Sequence, residues 1–330
     1  MTAGRRRFLA GPAALLAAGG LGSWNGPRAE EAFPSRPVRV IVPFSVGLGP
    51  DVVMRVLADH LTRRWGRPVL IDNRPGASGI VALIEARNAP RDGHTLVLGE
   101  AGSLAVLPVL RRPVGYDPLR DFEPLTTVFR ATFALLVGAQ ATFADLAALI
   151  SQARQAPGRV SYASLGNGHA SQVAVERLAE QIGATLHHVP FRDGAQLLTA
   201  VAQGDVDFTA MSMHSAAGFV KGGRLRPLAV AGSNRLKDWP ALATLPQAGG
   251  PALEMTPWAA LMLPAGAPPA VVQGLRTSLI DALADPAVRS KVESMGFEVL
   301  PGSPAQLLEL IRAETELAHR LIRLGRLSPE

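Results

Sequence analysis

Val38-Arg39-Val40-Ile41-Val42-Pro43-Phe44-Ser45-Val46-Gly47-Leu48-Gly49-Pro50-Asp51 is the stretch on which the fold turns. Val38–Val42 is a short, β-branched apolar run that stops at a proline. A glycine loop follows, and from residue 51 to 65 apolar positions recur at helical spacing, with Asp51 placed as an N-cap or first-turn acid. Strand, glycine loop and helix make one βα unit. The unit recurs at once: strand 69–71, helix 77–87 and strand 95–98. A second series begins after Asp121-Phe122-Glu123-Pro124, with strands at 133–137, 160–163, 186–189 and 206–210. Helices at 143–153, 170–182 and 195–202 alternate with them. Further strands are expected at 225–230 and 259–263, and helices at 270–283, 287–295 and 304–324. Alternation of this kind predicts an α/β fold with parallel pairing.

Two series in 330 residues predict two lobes with a cleft between them. A chain that is 48% hydrophobic and 18% charged can build sizeable cores and is not disordered. With no cysteine, disulfides, thiolate metal sites and cysteine nucleophiles are excluded. Aromatics at 5% offer no platform for stacking bases. The net charge of +6 is concentrated at the start: Arg5, Arg6, Arg7 and Arg28 lie in the first 29 residues, which hold no acid. In the remainder, 29 basic residues face 27 acidic ones, so no nucleic-acid partner is expected. Residues 1–30 read as an export signal. Paired arginines precede Phe8-Leu9 and an apolar stretch of 14 residues, too short to span a bilayer. The arginines resemble a twin-arginine signal; an ordinary secretory signal is the alternative.

In open α/β sheets, ligands sit beyond the carboxyl ends of the strands. That singles out the loop 43–51 and the loop Ser164-Leu165-Gly166-Asn167-Gly168-His169-Ala170. Each leads into a helix N-terminus, whose unpaired N–H groups suit a carboxylate or phosphate. Ser45, Ser164, Asn167 and His169 add short donors. Either loop alone is also compatible with an ordinary βα turn.

Catalytic templates fail. The third glycine of a dinucleotide fingerprint begun at Gly47 and Gly49 would fall at Val52, and there is no phosphate-loop lysine, no Gly-x-Ser-x-Gly elbow and no HExxH pair. His187 and His188 are adjacent on a strand and point to opposite faces, so they do not share a metal. No catalytic residue, metal or cofactor is expected. An exported hydrolase using Ser164, His169 and a distant aspartate stays as a rival.

Several segments in order resemble the Bug-type periplasmic solute-binding proteins of tripartite tricarboxylate transporters. They are Phe33-Pro34-Ser35-Arg36-Pro37-Val38, Asp72-Asn73-Arg74-Pro75-Gly76-Ala77, Asp92-Gly93-His94-Thr95-Leu96, Tyr116-Asp117-Pro118 with Asp121-Phe122, Tyr162-Ala163-Ser164, His188-Val189-Pro190-Phe191, Leu225-Arg226-Pro227-Leu228-Ala229-Val230 and Pro264-Ala265-Gly266. The resemblance implies a two-lobed Venus-flytrap (type II) fold, with a cleft between two mainly parallel sheets. Lobe 1 would comprise 33–128 and 262–330, and lobe 2 would comprise 129–261. It implies a monomer in the periplasm that binds a mono-, di- or tricarboxylate and docks on membrane permease subunits; a carboxylate sensor is the alternative.

Carried over by position, Ser45, Gly47 and Gly49 face Ser164, Gly166, Asn167, Gly168 and His169 across the ligand. Asp51 reads as a structural cap. Arg192 is a candidate for a distal acidic group, or else a solvated loop residue. Leu48 and Pro50 depart from the family pattern, as do His169 in place of serine and Gln172 in place of histidine. Ala259 also stands where an aromatic is common. Met211 stands where many members carry a ligand-contacting aspartate, so the ammonium of an amino acid is expected to be poorly served.

Overall fold

In the computed structural model, which describes residues 33–329, Val38–Val42 is the strand β1. It is followed by α1 (Gly49–Trp65), β2 (Val69–Asn73), α2 (Ile80–Arg87) and β3 (Thr95–Glu100). A π-helical turn (Gly102–Val106) then runs into α3 (Leu107–Leu110), and β4 (Phe122–Ala131) follows. The next series is β5 (Phe133–Gly138), α4 (Leu146–Gln155), β6 (Ser161–Ser164), α5 (Ala170–Ile182), β7 (His187–Pro190), α6 (Gly194–Gln203), β8 (Phe208–Ser212), α7 (Met213–Lys221) and β9 (Leu225–Val230). The chain returns through β10 (Trp258–Pro264), α8 (Pro269–Ala284), α9 (Pro286–Ser294), β11 (Phe297–Val299) and α10 (Pro304–Arg323). The export-signal reading falls outside the described residues.

The strands form two sheets, ordered β2-β1-β3-β10-β4-β11 and β7-β6-β8-β5-β9. The first five strands of one repeat the pattern of the other. In each, three strands run parallel, the fourth runs against them and the fifth resumes their direction. The reversed strand is in both cases the one that has just arrived from the other sheet: β5 in the second, β10 in the first. By pairing, the sheets are mixed rather than mainly parallel: β2-β1-β3 and β7-β6-β8 pair in parallel, while every pair made by β10, β11 and β5 is antiparallel.

β1 is apolar except at Arg39, which is partly buried and pairs with Asp72 and Glu85; its other four residues are buried because both faces of the strand are covered. Val38, Val40 and Val42 join Leu57 and Leu61 of α1 in one core, while Ile41 points into the other with Leu83 of α2. The second sheet likewise has a core on each face, one around Tyr162 and Phe208, the other around Leu197 and Met211.

Two segments carry the chain between the sheets, and they lie side by side. The Ala131 N–H donates to the Pro257 carbonyl (2.8 Å) and the Phe133 N–H to the Met255 carbonyl (3.0 Å). The Met255 N–H in turn donates to Ala231, and Ala231 to Phe133, both at 2.8 Å.

β4, β11, α3 and α7 were not legible as elements. Pro124 and the charges of Glu123 and Arg130 make β4 read as a boundary, yet it pairs with β10 through two register shifts. β11 is three residues long, too short to show a period.

The last helix starts on a capping box. The Ser303 hydroxyl accepts from the Gln306 N–H while Gln306 accepts from the Ser303 N–H, and Pro304 takes the first helical position. Leu307 and Ile311 join the core of the first lobe. Further on, Ala318, Leu321 and Leu327 pack with Val106 and Leu110 and with Val173 of α5. Arg320 pairs with Glu180 (3.1 Å), and Arg326 donates to the Ala179 and Ala184 carbonyls (3.2 Å each). The chain end therefore joins both lobes. Leu321→Ala opens this seam and is expected to cost about 2–5 kcal/mol of unfolding free energy, read as a lowered urea midpoint.

Candidate functional site

Four βα loops meet at the carboxyl ends of the strands around a cavity of about 570 Å3. They are the loops after β1, β2, β6 and β7, two from each sheet; Leu107 and Arg111 add a further wall. Of the residues proposed from sequence, Ser45, Gly166, Asn167, His169 and Arg192 line this cavity. Gly47, Gly49, Ser164, Gly168 and Met211 do not.

In the first loop the Gly47 N–H is already used. It donates to Asp51 Oδ2 at 2.8 Å, across a left-handed turn at Gly47 (φ +85°). The Asp51 carboxylate also accepts from Arg55 Nε (3.0 Å) and from Asn73 Nδ2 (2.8 Å), and Asn73 donates in addition to the Phe44 carbonyl. Asp51 is fully buried. Burial alone would push its pKa up, but the bonds from Arg55, Asn73 and Gly47 outweigh it and hold the carboxyl below its usual range. Asp51 therefore fixes the loop, as a cap would. Gly49 is the first residue of α1, and a side chain there would strike Phe297.

The second loop has a similar internal scaffold. Ser164 is fully buried; its hydroxyl accepts from the Gly166 N–H (3.1 Å) and lies 2.6 Å from His188 Nε2. Burial, with the charge of neighbouring His187, pulls the His188 pKa down to about 4, so this imidazole is neutral near pH 7. The Gly168 N–H donates to Gln172 Oε1 (2.7 Å), and Gly168 packs against Leu107. Ser164 and Gly168 thus shape the loop, while Gly166, Asn167 and His169 present themselves to the cavity.

His169 is the N-cap of α5, accepting the Ser171 N–H at Nδ1 (3.1 Å). Its other nitrogen faces Glu100 Oε2 at 3.6 Å. Ser164 and His169 consequently serve different networks, and the Ser–His–Asp constellation considered from sequence is not assembled. Met211 sits in the apolar core of the second lobe and lines a small, separate pocket of about 60 Å3. Phe44, Leu48, Glu100, Leu165 and His169 line both that pocket and the main cavity, and so form the boundary between them.

Three contributors escaped the sequence reading. Residues 76–79 form a left-handed turn with φ of 138°, 46°, 51° and 94°, including the non-glycines Ala77 and Ser78. Backbone of this kind is held only where its surroundings enforce it. Here it brings Ser78 across the cleft, where its hydroxyl donates to the Asn167 carbonyl (3.2 Å). The paired glycines Gly76 and Gly79 after a strand were the available signal. Arg111 and Glu100 left none, because each stands in a stretch with no recognisable spacing.

Residues 53–326 match the profile described as "Tripartite tricarboxylate transporter family receptor". The chain belongs to this family. The receptor is 33% identical over 322 residues to the "UPF0065 protein in tcbD-tcbE intergenic region" of Pseudomonas sp. strain P51, covering 97% of this chain and 94% of that one. Among solved structures, it is similar to R. palustris Rpa4515 with adipate (TM-score 0.84, 30% identity, 90% of this chain and 100% of that one). It is also similar to the periplasmic binding protein BugD (TM-score 0.80, 26% identity, 90% and 100%). The family and these neighbours are solute-binding proteins, so the receptor is a binder and not an enzyme.

The lock at Asp51 has a pH signature. A carboxyl with a depressed folded-state pKa adds stability above its ordinary value of 3.8, and loses it as pH falls through the folded value. Asp51→Asn is expected to lower unfolding free energy near pH 7 by about 1–3 kcal/mol. In paired urea titrations the gap to wild type should close as pH drops below 3.8.

Proposed function

We propose that the receptor captures a small organic carboxylate between its lobes in the periplasm and delivers it to the membrane subunits of a tripartite tricarboxylate-type transporter. The observation that carries this reading is the convergence of four βα loops, with Arg111 and Arg192, on one cavity of about 570 Å3. The helices that follow these loops point their N-terminal ends, and hence partial positive charge, towards the same region. The volume suits a molecule of a few carbons and leaves room for water. Adipate in the solved relative is a ligand of this kind. Ser45, Gly166, Asn167 and the strained turn at Ser78 supply short-range contacts, and Arg192 meets a distal acidic group. Residues 1–30 direct export.

No bond is made or broken in this scheme. The ligand touches both lobes, and only its extra contacts in the closed arrangement drive closure. We take 33–128 with 262–330, and 129–261, as the bodies that move. The Ser78–Asn167 bond belongs to the closed arrangement, where a membrane partner would recognise the joined rims.

A thermal-shift screen tests the reading, using protein unfolded and refolded to strip endogenous ligand, against mono-, di- and tricarboxylates. A true ligand at 100 times its Kd adds about 2.7 kcal/mol of stability. Gly166→Val is expected to abolish that shift, because a Cβ there lies 2.9 Å from the Ser78 hydroxyl on a backbone with φ of +112°. Folded, ligand-free protein that responds to no carboxylate refutes the proposal.

A further inference from the structure

Glu100 is out of keeping with a cavity for anions. It ends β3, is 6% exposed and is the sole acidic side chain among the described residues lining the main cavity. Among the described residues its carboxylate accepts no hydrogen bond. Its ionic neighbour, His169, comes from the other lobe, and the 3.6 Å between Nε2 and Oε2 is beyond hydrogen-bond range. Because His169 Nδ1 accepts the Ser171 N–H, the neutral ring carries its proton on Nε2, turned towards Glu100. The carboxylate therefore keeps acceptor sites open to the cavity, where an unpartnered buried charge is costly. A bare ligand carboxylate placed there is repelled, whereas a group that donates a hydrogen bond is held.

Resting on the carboxylate reading above, we propose that Glu100 is a specificity-determining residue that selects carboxylates bearing a hydrogen-bond donor, a hydroxyl or an ammonium group. Glu100 brings an acid from the first lobe to the cleft, where it faces His169 of the second lobe. Burial raises the Glu100 carboxyl's pKa above its ordinary value, outweighing the downward pull of nearby His169, as expected of a group that lacks a full complement of donors. A donor on the ligand completes that complement at the moment of closure, so the discrimination is exerted where the lobes meet.

Calorimetric titration of the refolded, ligand-stripped protein tests this with matched acids of equal skeleton. One set is succinate, malate and aspartate; the other is glutarate, 2-hydroxyglutarate and glutamate. The better donor-bearing acid of a set is expected to bind about tenfold or more tightly than the plain acid, the range of a hydrogen bond to a charged group. Preference for the hydroxy acid identifies a hydroxyl as the donor, and preference for the amino acid identifies an ammonium. Glu100→Gln, checked for an unchanged circular dichroism spectrum and a cooperative melt, is expected to bring the ratio within about twofold. Equal affinities in wild type overturn the proposal whether or not the variant folds, and so does a ratio that survives in Glu100→Gln. In both of those cases carboxylates still bind and the parent reading stands. Absence of binding by every carboxylate, in these sets and in the wider screen, overturns the parent reading and this proposal together.

Discussion

The pairing of the two crossing segments is the constraint from which the cleft follows. Ala131 and Phe133 are hydrogen-bonded to Pro257 and Met255, so the chain passes between lobes twice through one narrow, laddered strip. Each crossing delivers a strand into the sheet it enters, running against its neighbours. That reversal turns the carboxyl ends of the parallel strands in both sheets towards the same gap. Had either crossing strand joined at a sheet edge instead, the βα loops of one lobe would not be brought opposite those of the other.

The chemistry of the gap is a direct result. Backbone N–H groups at helix starts and two arginines favour anions, while short polar side chains give direction. Much of the glycine-rich sequence, however, is scaffold: the Gly47 N–H serves Asp51 and the Gly168 N–H serves Gln172. Each loop thus spends some of its donors on keeping its own shape, and that rigidity limits the entropy lost when a ligand is bound. Glu100 stands against this background as a local charge of the wrong sign for a general anion trap.

How much of this could be read from the sequence depended on whether a feature had a period or a spacing. β1, α1 and the βα alternation were legible because apolar residues recur at intervals of two or 3.6. The two glycine loops were legible from their place between a strand and a helix. By contrast, β4 hides behind Pro124 and its charges, and β11 is too short for any pattern. Glu100 reaches the cavity because β3 ends there and His169 is folded opposite it, a tertiary fact with no local trace. Gly47, Gly49, Ser164 and Gly168 sit in the right loops, but their orientation depends on bonds to Asp51, Phe297, His188 and Gln172 that no spacing reveals. The strand expected at 206–210 ends one residue short of Met211; β8 runs from Phe208 to Ser212, and the Met211 side chain belongs to the apolar layer beside the cleft.

The insertion of β10 between β3 and β4 also sets an order of assembly. The second sheet is contiguous in sequence, from Phe133 to Val230, and contains all its own strands once that segment exists. The first sheet lacks a central strand until Trp258–Pro264 has been made, and the seam at Leu321 and Leu327 waits for the last few residues. The lobe begun first is therefore completed last, by pairing over a long stretch of sequence, which slows folding. Until then the open edges of β3 and β4 are exposed to wrong partners, so an early stop in synthesis leaves a finished second lobe attached to an unfinished first one.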